Sequence, residues 1–342
     1  MDIHDYWSGD RPGCVLTQIH EPDYRQLPAE EMEDRAVRNL SAWATSSANL
    51  PPALFPDFGT VSTATSWGGT PRRTDEGEWF IPPVAGDLDE ALAIDPAPNP
   101  HATRAADLYR AVQGRTGIRD LGFKSIDFQG PLNTAALVVN QDELMVGMYA
   151  EPDKVHALLD RVTDHLIATV RGLKKAVGRL DGNIWPYLWV PDSVGVMLTE
   201  DIMPLISTDL YREFGIPYLR RIADALGGVF IHCCGEWGRH ARTLAESGVN
   251  ILGAEFHYPF TRIEELAEPF AGKVLAPFYA GFKTTDFGGL PGYLDHLLRN
   301  RPSDISLWLP YTDAEFWPVA DLREVMARHG FGPEGFWSPA RP

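Results

Sequence analysis

From about Lys124 onward, short apolar runs alternate with longer stretches whose apolar residues recur every third or fourth position. Val155, Leu158, Leu159, Val162, Leu166, Ile167 and Val170 share one face of a helix predicted over Pro152–Val177. A second helix is predicted over Thr208–Leu226, capped by Ser207 or Thr208, stopped by Gly227 and kinked at Pro217. Strands are predicted at Lys124–Gln129, Asn183–Val190, Gly228–Cys233, Asn250–Phe256, Val274–Tyr279 and Ile305–Leu309. Helices over Gly238–Ser247, Ile263–Phe270, Gly292–Arg299 and Asp321–His329 follow the last four of these in turn.

Strands alternating with helices of about ten residues imply βαβ units and a parallel sheet. The expected fold is α/β, a (β/α)8 TIM-type barrel with an irregular N-terminal extension, in one domain over 1–342. Residues 1–123 form the irregular part. Proline and glycine are dense over Pro51–Gly69 and Pro82–Pro100, leaving strands at Cys14–His20 and Thr60–Trp67 and a helix at Ala102–Gln113. In such a barrel the reactive groups stand at the C-terminal ends of the strands.

Charge narrows the partners. The 342 residues carry 47 acidic and 30 basic side chains, a formal net charge of −17. That field repels a phosphate backbone and an anionic membrane, so neither nucleic acid nor membrane is expected. The N-terminus carries acids and no apolar run, and no stretch reaches the ~18 apolar residues of a membrane span. Three cysteines, Cys14, Cys233 and Cys234, make a poor disulfide set and suit a reducing, cytoplasmic setting. Cys14 reads as a buried strand residue.

Candidate chemistry concentrates in Gly228-Val-Phe-Ile-His-Cys-Cys-Gly235. Side chains alternate along a strand, so His232 and Cys234 share one face and Cys233 takes the other. On the next strand Glu255 and His257 share a face near the C-terminal end. Neighbouring strands lie about 4.8 Å apart, so Glu255 can reach the same point as His232 and Cys234. Mixed nitrogen, sulfur and oxygen donors suit zinc. The bland alternative is a hydrogen-bonded histidine beside a buried thiol.

Trp185, Tyr187, Trp189 and Asp192 stand at or after one strand and would line a binding mouth, unless they are packing residues. Asp127 and Gln129 alternate on another strand toward the pocket, as reactive groups or as a satisfied buried pair. Trp237 and His240 read as structural, and Lys283 as a solvated loop lysine.

Several phrases, in order from about Lys124 to His329, resemble the uroporphyrinogen decarboxylase superfamily. They are Asp127-Phe-Gln-Gly-Pro-Leu132, Glu151-Pro-Asp-Lys-Val-His-Ala-Leu-Leu159 and Ile206-Ser-Thr-Asp-Leu-Tyr-Arg-Glu-Phe-Gly-Ile-Pro-Tyr218, followed by the His-Cys-Cys-Gly and Gly-Val-Asn-Ile-Leu-Gly-Ala-Glu strands. The resemblance implies a (β/α)8 barrel with its active site in the mouth. The arginine-rich motif of the true decarboxylases is missing near Gln18–Tyr24, and Arg25 alone does not replace it. The His-x-Cys strand end instead resembles the zinc-dependent methyltransferases that move a methyl group from a methylated corrinoid to a thiol.

That branch implies zinc on His232, Cys234 and Glu255, with a cysteine after the last strand. Here the last strand ends Leu307-Trp-Leu-Pro-Tyr-Thr-Asp313 and carries no cysteine. Asp313, Tyr311 or His257 is left to fill the place, or the position stays open to substrate. Three readings follow. The first is a zinc-dependent methyltransferase with a methylated corrinoid as donor. The second is a metal-free lyase in which Asp127 or Glu255 serves as proton donor or charge stabiliser on a carboxylated aromatic or tetrapyrrole acid. The third is a non-catalytic barrel that binds a corrinoid or tetrapyrrole. Candidate partners are a small-molecule substrate, a corrinoid protein and a second copy of the chain.

Overall fold

The computed structural model of the chain describes residues 6–7, 13–19, 27–44, 52–74, 79–182, 189–279, 286–312 and 319–331. Its strands are β1 (Cys14–Ile19), β2 (Ala53–Leu54), β3 (Arg72–Arg73), β4 (Trp79–Phe80), β5 (Gly122–Phe123), β6 (Val196–Thr199), β7 (Val229–His232), β8 (Ile251–Tyr258), β9 (Val274–Tyr279) and β10 (Ser306–Thr312). The helices before the strand that carries His232 are α1 (Ala29–Ala44), α2 (Leu88–Ala93), α3 (Pro100–Thr116), α4 (Pro131–Val139), α5 (Gln141–Ala150), α6 (Pro152–Val177), α7 (Thr208–Phe214) and α8 (Ile216–Leu226). After it come α9 (Ala241–Glu246), α10 (Ile263–Leu266), α11 (Leu290–Asn300) and α12 (Val319–Arg328).

The fold is mixed α/β. Six strands make one sheet in the order β1-β10-β9-β8-β7-β6, parallel at every pair. A second parallel pair is β2 with β5; six residues past β5, outside any strand, Gln129 bridges Thr199, and the Thr199 amide donates to the Phe128 carbonyl at 3.0 Å. Among the described residues no hydrogen-bonded pair joins β1 to β2. β1 pairs along its length with β10, which ties the N-terminal part of the chain to the last strand. Among the described residues no helix is long and apolar enough to cross a membrane.

Alternation along the strands separates two cores. Leu54, Phe123, Leu198, Ile231, Ala254, Phe256, Leu275, Leu307 and Leu309 face outward into the main core beneath the helices. Ala53, Met197, Phe230, Val274, Ala276 and Trp308 face inward and, with Tyr6, Trp189 and Val190, form a separate apolar plug. Each large apolar side chain, such as Leu198 or Phe230, contributes about 1.5–3 kcal/mol when moved from water into such a core. Two residues further along the same strand faces stand Thr199 above Met197 and His232 above Phe230. A polar rim therefore sits over the plug at the C-terminal strand ends. Gly253 makes the crowding below possible, because a Cβ there would lie 1.9 Å from the Val274 carbonyl oxygen and 2.9 Å from the Phe230 ring.

Several expectations change. The helix over Pro152–Val177 is found with those bounds. The helix expected over Thr208–Leu226 is two, α7 and α8, broken at Gly215 rather than merely kinked at Pro217. Pro217 lacks an amide hydrogen and crowds the preceding turn, so the break falls on its N-terminal side. Thr60–Trp67 is not a strand. Ser62–Trp67 is a 3₁₀ helix, held by the Asn99 amide donating to the Ser62 carbonyl at 2.9 Å and ended by Gly68 at φ 91°. Most of the predicted strand Asn183–Val190 lies outside the described residues; the strand that pairs with β7 is β6, which sequence reasoning did not place. The region before Lys124 is less irregular than expected, since α1, α2 and an α3 longer than Ala102–Gln113 occupy it.

Gly253→Ala is expected to cost about 1–3 kcal/mol, the usual penalty for overpacking a filled core. A urea titration should show the midpoint falling with its slope unchanged.

Candidate metal centre

The rim groups arise from three strand ends. β7 places His232 at its last position, 2% exposed. The chain then turns through Cys233, which is buried, to Cys234, which is exposed. β8 places Glu255 and His257 on the inward face, opposite Ala276 and Phe278 of β9. β6 ends at Thr199 beside His232, and the two residues after it are Glu200 and Asp201.

Glu255 is fully buried and grips two imidazoles. His232 Nδ1 lies 2.7 Å from its Oε2, and His257 Nε2 lies 3.1 Å from its Oε1. The His257 ring stacks on Phe278 with centroids 4.7 Å apart. Burial alone would raise the Glu255 carboxyl, but the charge and hydrogen bond of His232 and the His257 contact outweigh it and hold it near about 2. Burial alone would lower His232; Glu255, a hydrogen bond with Cys234 and the charge of Asp201 raise it well above its ordinary value.

Two groups of side chains are spaced to hold a metal ion. Ligand atoms of Asp201, His232 and Cys234 all lie within 4.8 Å of one another, and so do those of His232, Glu255 and His257. His232 Nε2 stands 3.9 Å from Asp201 Oδ1, and the same oxygen accepts the Cys234 amide at 2.9 Å. A nitrogen, a sulfur and a carboxylate oxygen at one point fit zinc chemically.

Asp127 belongs to the same rim. Thr199 Oγ1 donates to its Oδ1 at 2.9 Å, and Gln129 Nε2 donates to its Oδ2 at 2.6 Å. Asn133 Nδ2 in turn donates to Gln129 Oε1 at 2.7 Å, so Gln129 is committed to holding Asp127. Burial raises the Asp127 carboxyl to about 7 against the opposing charge of His232. Directly after β6, on the strand face opposite Thr199, Glu200 is 1% exposed, and neither of its carboxyl oxygens has a hydrogen-bond partner among the described residues. Burial, and then the charge of Asp201, raise Glu200 to about 8.

Sequence reasoning named His232, Cys234, Glu255, His257, Asp127 and Gln129, and all six stand on this rim or its supporting network. Trp189 instead belongs to the apolar plug, 6% exposed beside Val190 and Phe230. Asp192 pairs with Lys174 at 3.0 Å and caps the Leu180 amide at 2.9 Å, which ties down the end of α6. Neither contacts the polar cluster. Trp185, Tyr187, Lys283 and Asp313 lie outside the described residues. Tyr311 lies on β10 opposite Gln18, its side chain outside them as well. Trp237 and His240 are buried, and His240 meets the Tyr211 ring edge-on, as structural residues do.

Asp201 was missed. The short run Val196-Met-Leu-Thr199 followed by two acids was the available signal, but the more aromatic Asn183–Val190 took the place of the strand.

No protein-family model matches the chain, and no curated protein matches it. Among solved structures it is similar to a methyltransferase from Methanosarcina mazei, at a TM-score of 0.66 and 15% identity over 96% of this chain and 97% of that one. The two share a fold. A dihydrodipicolinate synthase from Agrobacterium tumefaciens str. C58 aligns over 96% of this chain and 78% of its own at 10% identity, and its TM-score of 0.41 is too low to bear on either fold or function.

Glu200→Gln tests the burial of that carboxyl. A glutamate that titrates near 4.5 unfolded and at about 8 folded holds its proton more tightly in the native state. The stability this contributes is whole below pH 4.5 and lost as pH rises through 8. The wild-type chain should therefore weaken over that window relative to Glu200→Gln, by on the order of a few kcal/mol at about 1.4 kcal/mol per unit of pH. Urea unfolding near the two ends of the window reads it.

Proposed function

We propose that the chain is a closed (β/α)8 barrel enzyme of the uroporphyrinogen decarboxylase superfamily that transfers a methyl group to a thiol or other soft nucleophile at a zinc site held by His232 and Cys234. A methylated corrinoid, free or on a carrier protein, is the proposed donor. The observation that carries this reading is the convergence of an imidazole, a thiol and a carboxylate on one rim above a sealed apolar plug. The shared fold with a methyltransferase supports it.

Zinc, when bound, supplies the positive charge that keeps a thiol deprotonated at neutral pH. The chain's own residues do the rest. Glu255 takes a hydrogen bond from His232 Nδ1, which turns Nε2 toward Asp201 and Cys234. Asp127, held near about 7, accepts the proton that the nucleophile gives up. Thr199 and Gln129 fix that carboxyl in place. The apolar plug closes the interior beneath the rim against water.

The metal-free lyase is the second reading, and the elevated Asp127 is the observation that favours it, since a protonated Asp127 could donate to a carbanion. It gives no task to the Cys234 thiol, which is why methyl transfer is preferred.

Purified protein should carry about one zinc per chain, and His232→Ala and Cys234→Ala should each lose the metal and the transfer of methyl from methylcobalamin to a thiol. Metal-free protein that releases CO2 from a carboxylated aromatic acid would replace this reading with the lyase. Asp127→Asn should keep its zinc and lose about 10²–10⁴-fold in kcat/KM, the usual worth of a general base.

A further inference from the structure

The two overlapping clusters at His232 cannot both be ligand sets for one ion. Tetrahedral zinc with nitrogen and oxygen bonds of about 2.0–2.1 Å keeps its ligand atoms roughly 3.3–3.4 Å apart. His232 Nδ1 and Glu255 Oε2 are 2.7 Å apart, too close to flank an ion and right for a charge-assisted hydrogen bond. His257 Nε2 and Glu255 Oε1, at 3.1 Å, are likewise hydrogen-bonded. Both Glu255 oxygens are thus occupied by imidazole nitrogens. On the other side of the same ring, His232 Nε2 and Asp201 Oδ1 are 3.9 Å apart, which leaves room for an ion after a closure of about half an ångström. The sulfur of Cys234 lies within the same group, and the Cys234 amide donates to that very Asp201 oxygen at 2.9 Å, fixing the carboxylate over the turn that presents the thiol.

We infer that Asp201, not Glu255, is the carboxylate ligand of the metal, completing a His232–Cys234–Asp201 set with one position open to substrate, while Glu255 stands behind His232 and orients it. The inference rests on the zinc reading of the site. It also removes the need for a cysteine after β10: the third protein ligand comes from the end of β6, on the opposite flank of β7. Glu255 then holds the position common behind metal-bound histidines, where a carboxylate takes the second ring N–H and sets the tautomer.

Cobalt substitution tests this without recourse to activity. Co(II) in the zinc site gives ligand-field bands that report the first shell and a sulfur-to-metal charge-transfer band that reports Cys234. Asp201→Asn is isosteric and still accepts the Cys234 amide, so it preserves the turn. It should weaken zinc binding at least about tenfold against a competing chromophoric chelator and shift the ligand-field bands, with the charge-transfer band retained. Glu255→Gln should weaken binding by about 10–100-fold, as loss of an orienting partner does, and leave the band positions where they are in the wild type. The proposal is overturned if Asp201→Asn keeps wild-type affinity and spectrum while Glu255→Gln shifts the bands; zinc chemistry at His232 and Cys234 would survive that result. Wild-type protein that takes up neither zinc nor cobalt would overturn the inference and the zinc reading together.

Discussion

A carboxylate with no exposed surface, Glu255, sits between two histidines on the floor of the rim, and the geometry around it follows from the cost of putting it there. An isolated buried carboxylate would neutralise itself or unfold its surroundings. Here both oxygens receive imidazole nitrogens, and the pair with His232 holds Glu255 ionised. Breaking such a buried pair by removing one partner typically costs about 3–5 kcal/mol, so each member dictates the other's position. His232 is locked in orientation, with its far nitrogen toward Asp201 and Cys234.

The plug beneath gives that lock its leverage. Phe230 and His232 are two residues apart on β7, and Gly253 and Glu255 two apart on β8. The apolar pair in the lower layer packs without a gap, because Gly253 has no side chain to hold the strands apart. The polar pair in the upper layer inherits that spacing through the parallel register. Function and stability therefore share one framework: the sheet that buries Phe230, Met197 and Trp308 also sets the distance between the imidazole and its carboxylates.

Acidity around the strand ends is graded by surroundings rather than by residue type. Glu255, paired with imidazoles, stays ionised far below neutrality, whereas Asp127 and Glu200, equally buried but without a cation in contact, move up to about 7 and about 8. Neighbouring carboxyls driven apart in this way can divide labour, one as a fixed charge and another as a proton carrier. Asp201, part-exposed at the lip, accepts the Cys234 amide and faces His232 Nε2 at 3.9 Å.

The sequence by itself determined the parallel βα alternation, the long helix α6, and the sharing of one strand face by Glu255 and His257, whereas Cys234 stands past the end of β7 in the turn rather than on the strand face of His232. Those follow from local periodicity, which a strand or helix imposes on its own residues. It did not reveal that Glu255 would be consumed by two imidazoles, that Trp189 and Asp192 would serve packing and helix anchoring, or that Asp201 would arrive beside Cys234. Each of these depends on which strand lies next to which and in what register, and that is decided by burial across segments far apart in the chain. β6 carries too short a pattern to announce itself; only its pairing with β7 brings the end of one strand within reach of the other's histidine.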